Sequence, residues 1–136
     1  MQEDNISIEK KEEQNYVSFE DFQKMDIRIG TIRFVEPVAE SDKLLRCLVD
    51  FGPELKTEDY ADIDGVIHPV RQIVSGIREY YPDYLALIGK QVLYIVNLKP
   101  RTIKGVTSHG MLMAAGDADC VFLCPSKPVS PGAKLH

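Results

Sequence analysis

The order of apolar and polar positions predicts a short helix followed by a series of short strands. In "SFEDFQKMD", the residues Phe19, Phe22 and Met25 recur at helical spacing, and Ser18 before them is a favoured N-cap. We expect this apolar face to pack on the core. The next segment, "DIRIGTIRFVEP", alternates as a strand does, and Gly30 inside it indicates a bulge or a sharp bend.

Further segments with strand character are "KLLRCLVDFG", "VRQIVSGI", "QVLYIVN", "SHGMLMAA" and the short "CVFLCP". Residues 52–70, between the second and third strands, are polar and acidic, which predicts a long loop. Residues 97–107 are predicted as another loop, and a short helix is expected before Gly89. Short strands without long alternating helices favour a small barrel or sandwich over a parallel α/β sheet.

Charge is divided unevenly along the chain. The formal net charge is −5, yet residues 84–116 contain four basic side chains and no acidic one. Residues 36–64 instead hold nine acidic and three basic residues. Residues 1–16 are rich in Glu, Lys and Gln without periodicity, so we predict a flexible acidic tail there and a folded domain at 17–136. A field of mixed sign can steer a polyanion onto one face.

The sequence contains no familiar motif for catalysis or for cofactor binding. Ser108 and His109 are adjacent, and "GVTSHG" lacks the spacing of a nucleophile elbow. Cys120 and Cys124 lie four positions apart, and two buried thiols are a simpler interpretation than a zinc site, which needs four ligands. Phosphate-binding glycine loops are absent. We therefore expect no catalytic residue, no metal ion and no cofactor.

The sequence also bears on the compartment. No apolar run approaches the roughly 20 residues that span a membrane. The segment "MQEDNISIEKKEEQ" lacks the apolar core of a signal peptide. Three cysteines, an odd number, fit reduced thiols better than disulfides. These features predict a cytoplasmic protein with no membrane partner.

The basic stretch "NLKPRTIKGVTSHGM" offers cations in a stiff segment. Pro100 restricts the backbone, so Lys99, Arg101 and Lys104 can project as phosphate ligands. RNA recognition also needs polar or apolar groups beside the bases, and the candidates for this role are Asn97, Ser108, His109 and Met111. Cations elsewhere that would extend the patch are Arg28, Arg33 and Lys43.

Several motifs occur in an order that resembles a known tRNA-binding domain: "DIRIGTI", "VSGI", "GKQV", "NLKPRTIKGVTSHGM" and "LMAA". This domain forms the C-terminus of bacterial methionyl-tRNA synthetases, and it also occurs as stand-alone dimeric tRNA-binding proteins and as CsaA-type secretion chaperones. The resemblance covers residues 19–135. Positions that match the binding stretch of the family are Asn97, Lys99, Arg101, Lys104, Ser108, Gly110 and Met111.

The resemblance implies a fold and a function. The fold would be an all-β OB-fold, a five-stranded Greek-key barrel with a short N-terminal helix and a C-terminal dimerisation extension. The function would be non-catalytic binding of tRNA by a homodimer that recognises the outer corner of the L-shaped molecule by shape. Such a protein can serve as an accessory to methionyl-tRNA synthetase, acting in trans.

Other features are divided between the branches of this family. The acidic segment 52–70 is longer than the usual family hairpin, and "VDFG" and "PSKPVSPGAKL" are more similar to the CsaA branch, whereas "SHGM" is more similar to the synthetase branch. The alternative hypothesis is an export-related chaperone that holds unfolded secretory polypeptides in an apolar groove. We expect that groove to involve Phe34, Tyr94 and Met113.

Overall fold

A short helix opens the part of the chain that the computed structural model describes, residues 15–57 and 59–136. Helix α1 spans Phe19–Gln23, and the Asp21 N–H donates to the Ser18 hydroxyl at 3.0 Å, as predicted for an N-cap. Its apolar side chains do not pack on the core: Phe19 is 70%, Phe22 42% and the following Met25 41% exposed. That expectation was wrong because the strands already close the core, and the helix is attached to them by polar contacts. The predicted tail 1–16 lies almost wholly outside the described residues.

Short strands make up most of the remaining described structure. They are β1 (Ile27–Pro37), β2 (Leu45–Asp50), β3 (Asp59–Ile63), β4 (Val66–Ser75), β5 (Gln91–Ile95), β6 (Arg101–Ile103), β7 (Val106–Ser108), β8 (Met111–Leu112), β9 (Ala114–Ala115) and β10 (Val121–Phe122). A 3₁₀ helix covers Tyr84–Leu87, where a short helix was expected. None of the helices in the described residues is long and apolar enough to cross a membrane.

Six strands form one sheet, in the order β3-β4-β2-β1-β5-β8, with every neighbouring pair antiparallel. The segment before β8 returns to β4, where the His109 N–H donates to the Gln72 carbonyl at 2.9 Å. The sheet therefore curls back on itself, and the prediction of a small all-β, barrel-like fold is confirmed. The sheet has six strands rather than five, and the OB-fold assignment stays a prediction.

Strand β1 is irregular, but not for the reason that its glycine indicated. The register shifts between Ile32 and Phe34, so that Ile32 and Val35 are both buried while Phe34 is 39% exposed. Gly30 serves the packing instead, because a Cβ there would lie 2.4 Å from Val49 Cγ1.

The core lies between the curled strands. Its fully buried side chains come from four strands and the 3₁₀ helix, and they include Ile32, Leu45, Ile73, Val92 and Tyr94. The Tyr94 ring meets the Phe51 ring edge-on, with centroids 5.3 Å apart. Because Tyr94 is inaccessible, it cannot line a surface groove, and that part of the chaperone hypothesis was wrong.

The acidic segment 52–70 is not one long loop. Strand β3 and the first half of β4 form a hairpin, with Tyr60 opposite Pro69 and Asp62 opposite Ile67. Its turn is Asp64-Gly65, whose φ angles of 51° and 81° are those of a type I′ turn. The Asp-Gly pair overrides the polar composition that suggested a loop.

The C-terminal segment lies along the first half of β1. The Leu135 N–H donates to the Ile27 carbonyl at 2.9 Å, and the Ile29 N–H donates to the Ala133 carbonyl at 2.9 Å. This segment therefore extends the sheet on the side of β1 away from β5. Its predicted part in dimerisation stays a prediction.

Candidate nucleic-acid interface

The basic stretch that was predicted as a loop forms a small hairpin. Strands β6 and β7 pair with Arg101 opposite Ser108 and Ile103 opposite Val106. The turn is Lys104-Gly105, with φ angles of 52° and 78°, again a type I′ turn. Residues 99–108 are called the basic hairpin below.

The three cations of the basic hairpin are free to meet a ligand. Lys99, Arg101 and Lys104 are all exposed. Among the residues that the structure describes, no carboxylate forms an ion pair with any of them. They therefore present three positive charges that nothing in the described fold neutralises.

Ser108 and Gly110 hold the hairpin against β4. Ser108 is buried, and its hydroxyl accepts from the Val74 N–H at 2.9 Å and donates to the Gly110 carbonyl at 3.0 Å. A Cβ at Gly110 would lie 3.1 Å from Ile73 Cδ1, so the strands approach closely there. The geometry gives both residues a structural task at the base of the hairpin.

Asn97 likewise uses its side chain within the protein. Its amide oxygen accepts from the Asp26 N–H at 2.8 Å, and its amide nitrogen donates to the Lys24 carbonyl at 2.7 Å. The amide thus ties the chain before the hairpin to the end of helix α1.

His109 and Met111 follow the hairpin and are both exposed. The side chain of His109 lines a cavity of 450 Å³ together with Lys56 and Arg71. Met111 lines a separate groove of 420 Å³, which also contains Lys99 and Arg101. The two predicted contact residues therefore belong to different hollows beside the same hairpin.

Arg28 and Arg33 are held by carboxylates. Arg28 Nε lies 2.8 Å from an Asp26 oxygen, and Arg28 Nη1 donates to the Gly132 carbonyl. Arg33 donates through Nε and Nη2, at 3.2 and 3.0 Å, to one oxygen of buried Asp50. Neither arginine is a free cation in the way that the hairpin residues are.

Lys43 lies in the connection between β1 and β2 and is exposed. Its carbonyl accepts from the Arg78 N–H at 3.0 Å, and Ile77, the residue before Arg78, lines the groove that contains Lys99 and Arg101. The backbone thus joins Lys43 to Arg78, which is next in sequence to a residue of that groove.

Arg71 also belongs to this site, although no sequence motif indicates it. This half-buried side chain donates to three carbonyls, those of Val96 at 2.8 Å, Lys56 at 3.3 Å and His109 at 3.4 Å. Burial lowers the pKa of its guanidinium, an effect that the Asp26 carboxylate opposes. Arg71 joins β4 to the segments on both sides of the basic hairpin. No pattern in "VRQIV" reveals this, because the three acceptors come from distant parts of the chain.

Within residues 15–57 and 59–136, the His, Cys, Asp and Glu side chains form no cluster that could bind a metal ion. The three cysteines are free, and they differ in exposure: Cys47 is buried, Cys120 is half-buried and Cys124 is exposed. The expectation that both Cys120 and Cys124 are buried was wrong, because Cys120 is only partly covered and Cys124 is exposed.

Comparison with solved structures finds similar folds. A protein described as MetRS-related from Pyrococcus horikoshii has a TM-score of 0.70 and 28% identity, covering 90% of this chain and 100% of its own. The chaperone CsaA of Bacillus anthracis has a TM-score of 0.69 and 27% identity, covering 89% of this chain and 99% of its own.

Comparison of sequences leads to the same family. The methionine–tRNA ligase of Methanosarcina acetivorans is 40% identical over 122 residues, which is 88% of this chain and 15% of that enzyme. The chain spans only 15% to 17% of the length of such ligases. Residues 27–134 match the family model described as "Putative tRNA binding domain". The chain therefore belongs to this tRNA-binding domain family.

Proposed function

We propose that this chain is a non-catalytic protein, without a cofactor, that binds tRNA through the basic hairpin. One observation carries the proposal: Lys99, Arg101 and Lys104 are exposed, and no described carboxylate pairs with them, in a chain of net charge −5. Free cations on an otherwise acidic protein are suited to a polyanion that must be held in one orientation.

The residues of the site would divide between contact and support. Arg101 can grip a phosphate through two N–H groups, while Lys99 and Lys104 act as point charges. His109 and Met111 directly follow the hairpin and are exposed, and exposed Lys43 would extend the contact surface from the connection between β1 and β2. The supporting residues would be Asn97, Ser108, Arg28 and Arg33, whose polar groups already have partners within the protein.

The protein would act as a homodimer with an OB-fold, in the cytoplasm. An apolar hollow of 420 Å³ supports the dimer, because its lining includes Phe19, Phe22, Met25 and Leu135. Three exposed apolar side chains on one short helix and its end form a patch of the kind that usually marks an interface. A second copy, applying the same patch, would cover it.

The proposed partner enzyme is a methionine–tRNA ligase that acts in trans. The relatives carry a similar segment within a much longer chain, of which this protein spans about one sixth. Binding of tRNA by this chain would raise the local concentration of tRNA near the ligase without taking part in the chemistry.

The test is binding of fluorescently labelled bulk tRNA, followed by anisotropy at three salt concentrations. We expect saturable binding whose logarithm falls linearly with the logarithm of the salt concentration. An uncharged, base-free polymer of similar size serves as the control. Absence of saturable binding at the lowest salt concentration would refute the proposal.

The alternative function is binding of unfolded polypeptides, as proposed for a CsaA-type chaperone. Exposed apolar side chains at Phe34, Tyr60 and Ile67 favour it, together with the likeness to the B. anthracis structure. The salt dependence separates the two, because burial of apolar surface tolerates added salt whereas phosphate binding does not. Binding of a reduced, alkylated secretory protein at high salt, with no binding of tRNA, would support the alternative.

A further inference from the structure

Phosphate binding by the basic hairpin leaves one feature beside it unexplained. The groove of 420 Å³ that contains Met111 runs between the end of β4, the hairpin and β8. Its apolar lining includes Leu98 and Met111, which are 45% and 48% exposed. Side chains that bind only phosphate need no apolar surface at this place.

The charges of the groove restrict what it can hold. Lys99 and Arg101 line it, and no acidic side chain does. An apolar hollow with two cations suits a ligand that has a flat apolar part and an attached anion. Its volume also lies within the range of about 300–1,000 Å³ typical of small-molecule pockets.

We propose that this groove receives one unstacked nucleobase of the bound tRNA, while Arg101 and Lys99 hold the phosphate next to it. The inference rests on the proposed function and adds a binding site to it. Single-stranded parts of an RNA can turn a base out of the stack, and such a base gains by burial against apolar side chains or an arginine plane. Met111 and Leu98 would supply the apolar contact.

Gly76 makes the groove testable without changing any charge. Gly76 lines the groove, and a Cβ built on it meets no atom within 4 Å. Its φ lies outside the left-handed region that favours glycine, so the φ angle does not oppose a larger residue. Gly76→Leu should therefore fill the groove and leave the cations in place. Gly110 does not offer this test, because a Cβ there meets Ile73 at 3.1 Å.

The experiment compares wild type, Gly76→Leu and Ala86→Leu in the anisotropy titration with bulk tRNA. Ala86→Leu is the matched control, since it adds the same bulk at an exposed position of the 3₁₀ helix. We expect Gly76→Leu to weaken binding about tenfold at every salt concentration, the size of one lost base contact. The slope against salt should stay as in wild type, because no phosphate contact is lost.

Two further measurements test the base site independently of Gly76→Leu. Ala114→Leu fills the groove from strand β9 and should weaken binding similarly, even if Gly76→Leu fails to fold. In methyl-labelled protein, a stacked base should shift the Met111 methyl resonance upfield when tRNA is added. The Met25 methyl, which lines a different hollow, should stay in place.

The outcomes separate the two proposals. If both groove variants bind tRNA as wild type does, while removal of hairpin cations weakens binding, the base site is refuted and the proposed function stands. If wild type itself does not bind tRNA, the proposed function fails and the base site fails with it. If the groove variants lose binding of an unfolded polypeptide but not of tRNA, the groove is a peptide site and the inference is wrong.

Discussion

The hydroxyl of Ser108 accepts the Val74 N–H at 2.9 Å, and this bond joins the base of the basic hairpin to strand β4. Ser108→Ala would leave the buried Val74 N–H without that partner, which costs about 1–3 kcal/mol. We expect the free energy of unfolding to fall by this amount in a urea titration. The exposed Ser126→Ala variant is the control and should change little.

Ser108→Ala also distinguishes a structural role of this hydroxyl from direct contact with the RNA. Below its melting range, Ser108→Ala should keep the wild-type salt slope of tRNA binding, because it removes no charge. A large loss of affinity without loss of stability would mean that the hydroxyl touches the RNA.

Removal of two hairpin charges should reduce the salt dependence of binding. In the double variant Arg101→Gln, Lys104→Asn, asparagine suits the left-handed conformation at the turn, where Lys104 has a φ of 52°. We expect the log–log slope to fall by about two, or roughly one for each lost phosphate contact. Lys127→Gln removes an exposed cation of a different hollow and should leave the slope nearly unchanged. An unchanged slope in the double variant would refute the hairpin as the binding site.

The buried hydroxyl of Tyr94 destabilises the folded protein. Its oxygen is enclosed and has no hydrogen-bond partner among the described residues, and burial raises the pKa of the phenol well above its ordinary value. Tyr94→Phe keeps the ring against Phe51 and removes the unpaired group, so we expect stability to rise by about 1 kcal/mol. Chemical denaturation measures this change. A loss of stability would show that the hydroxyl has a partner in solution.

The three thiols should react at very different rates. Burial raises the pKa of Cys47 to about 12, although Arg46 opposes the rise, so almost no nucleophilic thiolate exists at pH 8. Exposed Cys124 should react first with an aromatic disulfide reagent, and Cys124→Ser should remove that fast phase. Modification of Cys47 in the native protein, detected by peptide mass, would contradict this order.

The raised pKa of Cys47 also predicts that the stability of the protein depends on pH. Its ordinary pKa is 9.0, and the folded protein holds the proton more tightly than the unfolded chain. Below pH 9 the thiol is protonated in both states and contributes no pH dependence. As the pH rises from about 9 towards 12, the thiol of the unfolded chain loses its proton while the folded protein keeps it. This stabilises the unfolded chain, so the free energy of unfolding should fall. Cys47→Ala should remove this part of the alkaline loss.

The exposed patch on α1 should control the oligomeric state. We expect wild type to elute with twice the chain mass of 15.3 kDa in light scattering, and Phe19→Ser, Phe22→Ser to shift it towards the single-chain mass. Burial of the two rings between copies is the physical reason. Tyr60→Ser removes an aromatic ring of similar exposure on the β3–β4 hairpin and serves as the control. A wild-type monomer would refute the dimer.

Local patterns predicted the regular parts of the fold. Ser18 capped α1 as its position indicated, and the alternation in "DIRIGTIRFVEP" gave a strand at the expected place. Neither hairpin was predicted, although Asp64-Gly65 is a favoured turn dipeptide and Gly105 stands in the turn of the second hairpin. The prediction of loops rested on the polar composition of these segments. In the structure the turns determine that hairpins form, because each glycine allows the required backbone conformation.

Only those site residues that carry a charge within one continuous segment could be predicted from the sequence. Lys99, Arg101 and Lys104 stand in one segment, so their common surface could be inferred. The partners of Asn97 and Arg33 could not, because Asp26 and Asp50 meet them only through the folded sheet. Apolar spacing also could not show that Phe19 and Phe22 face away from the core, since a helix of five residues contributes little to enclosing it.

The C-terminal segment has a consequence for how the chain reaches this fold. Ile27 and Ile29 lie near the start of the described chain, yet their backbone partners include Leu135 and Ala133. During synthesis, this edge of β1 must wait until residues 133–135 have been made before it is paired. Such distant pairing slows folding and leaves a strand edge open to other chains meanwhile. The pairing of the first half of β1 is thus completed only by residues from the far end of the described chain.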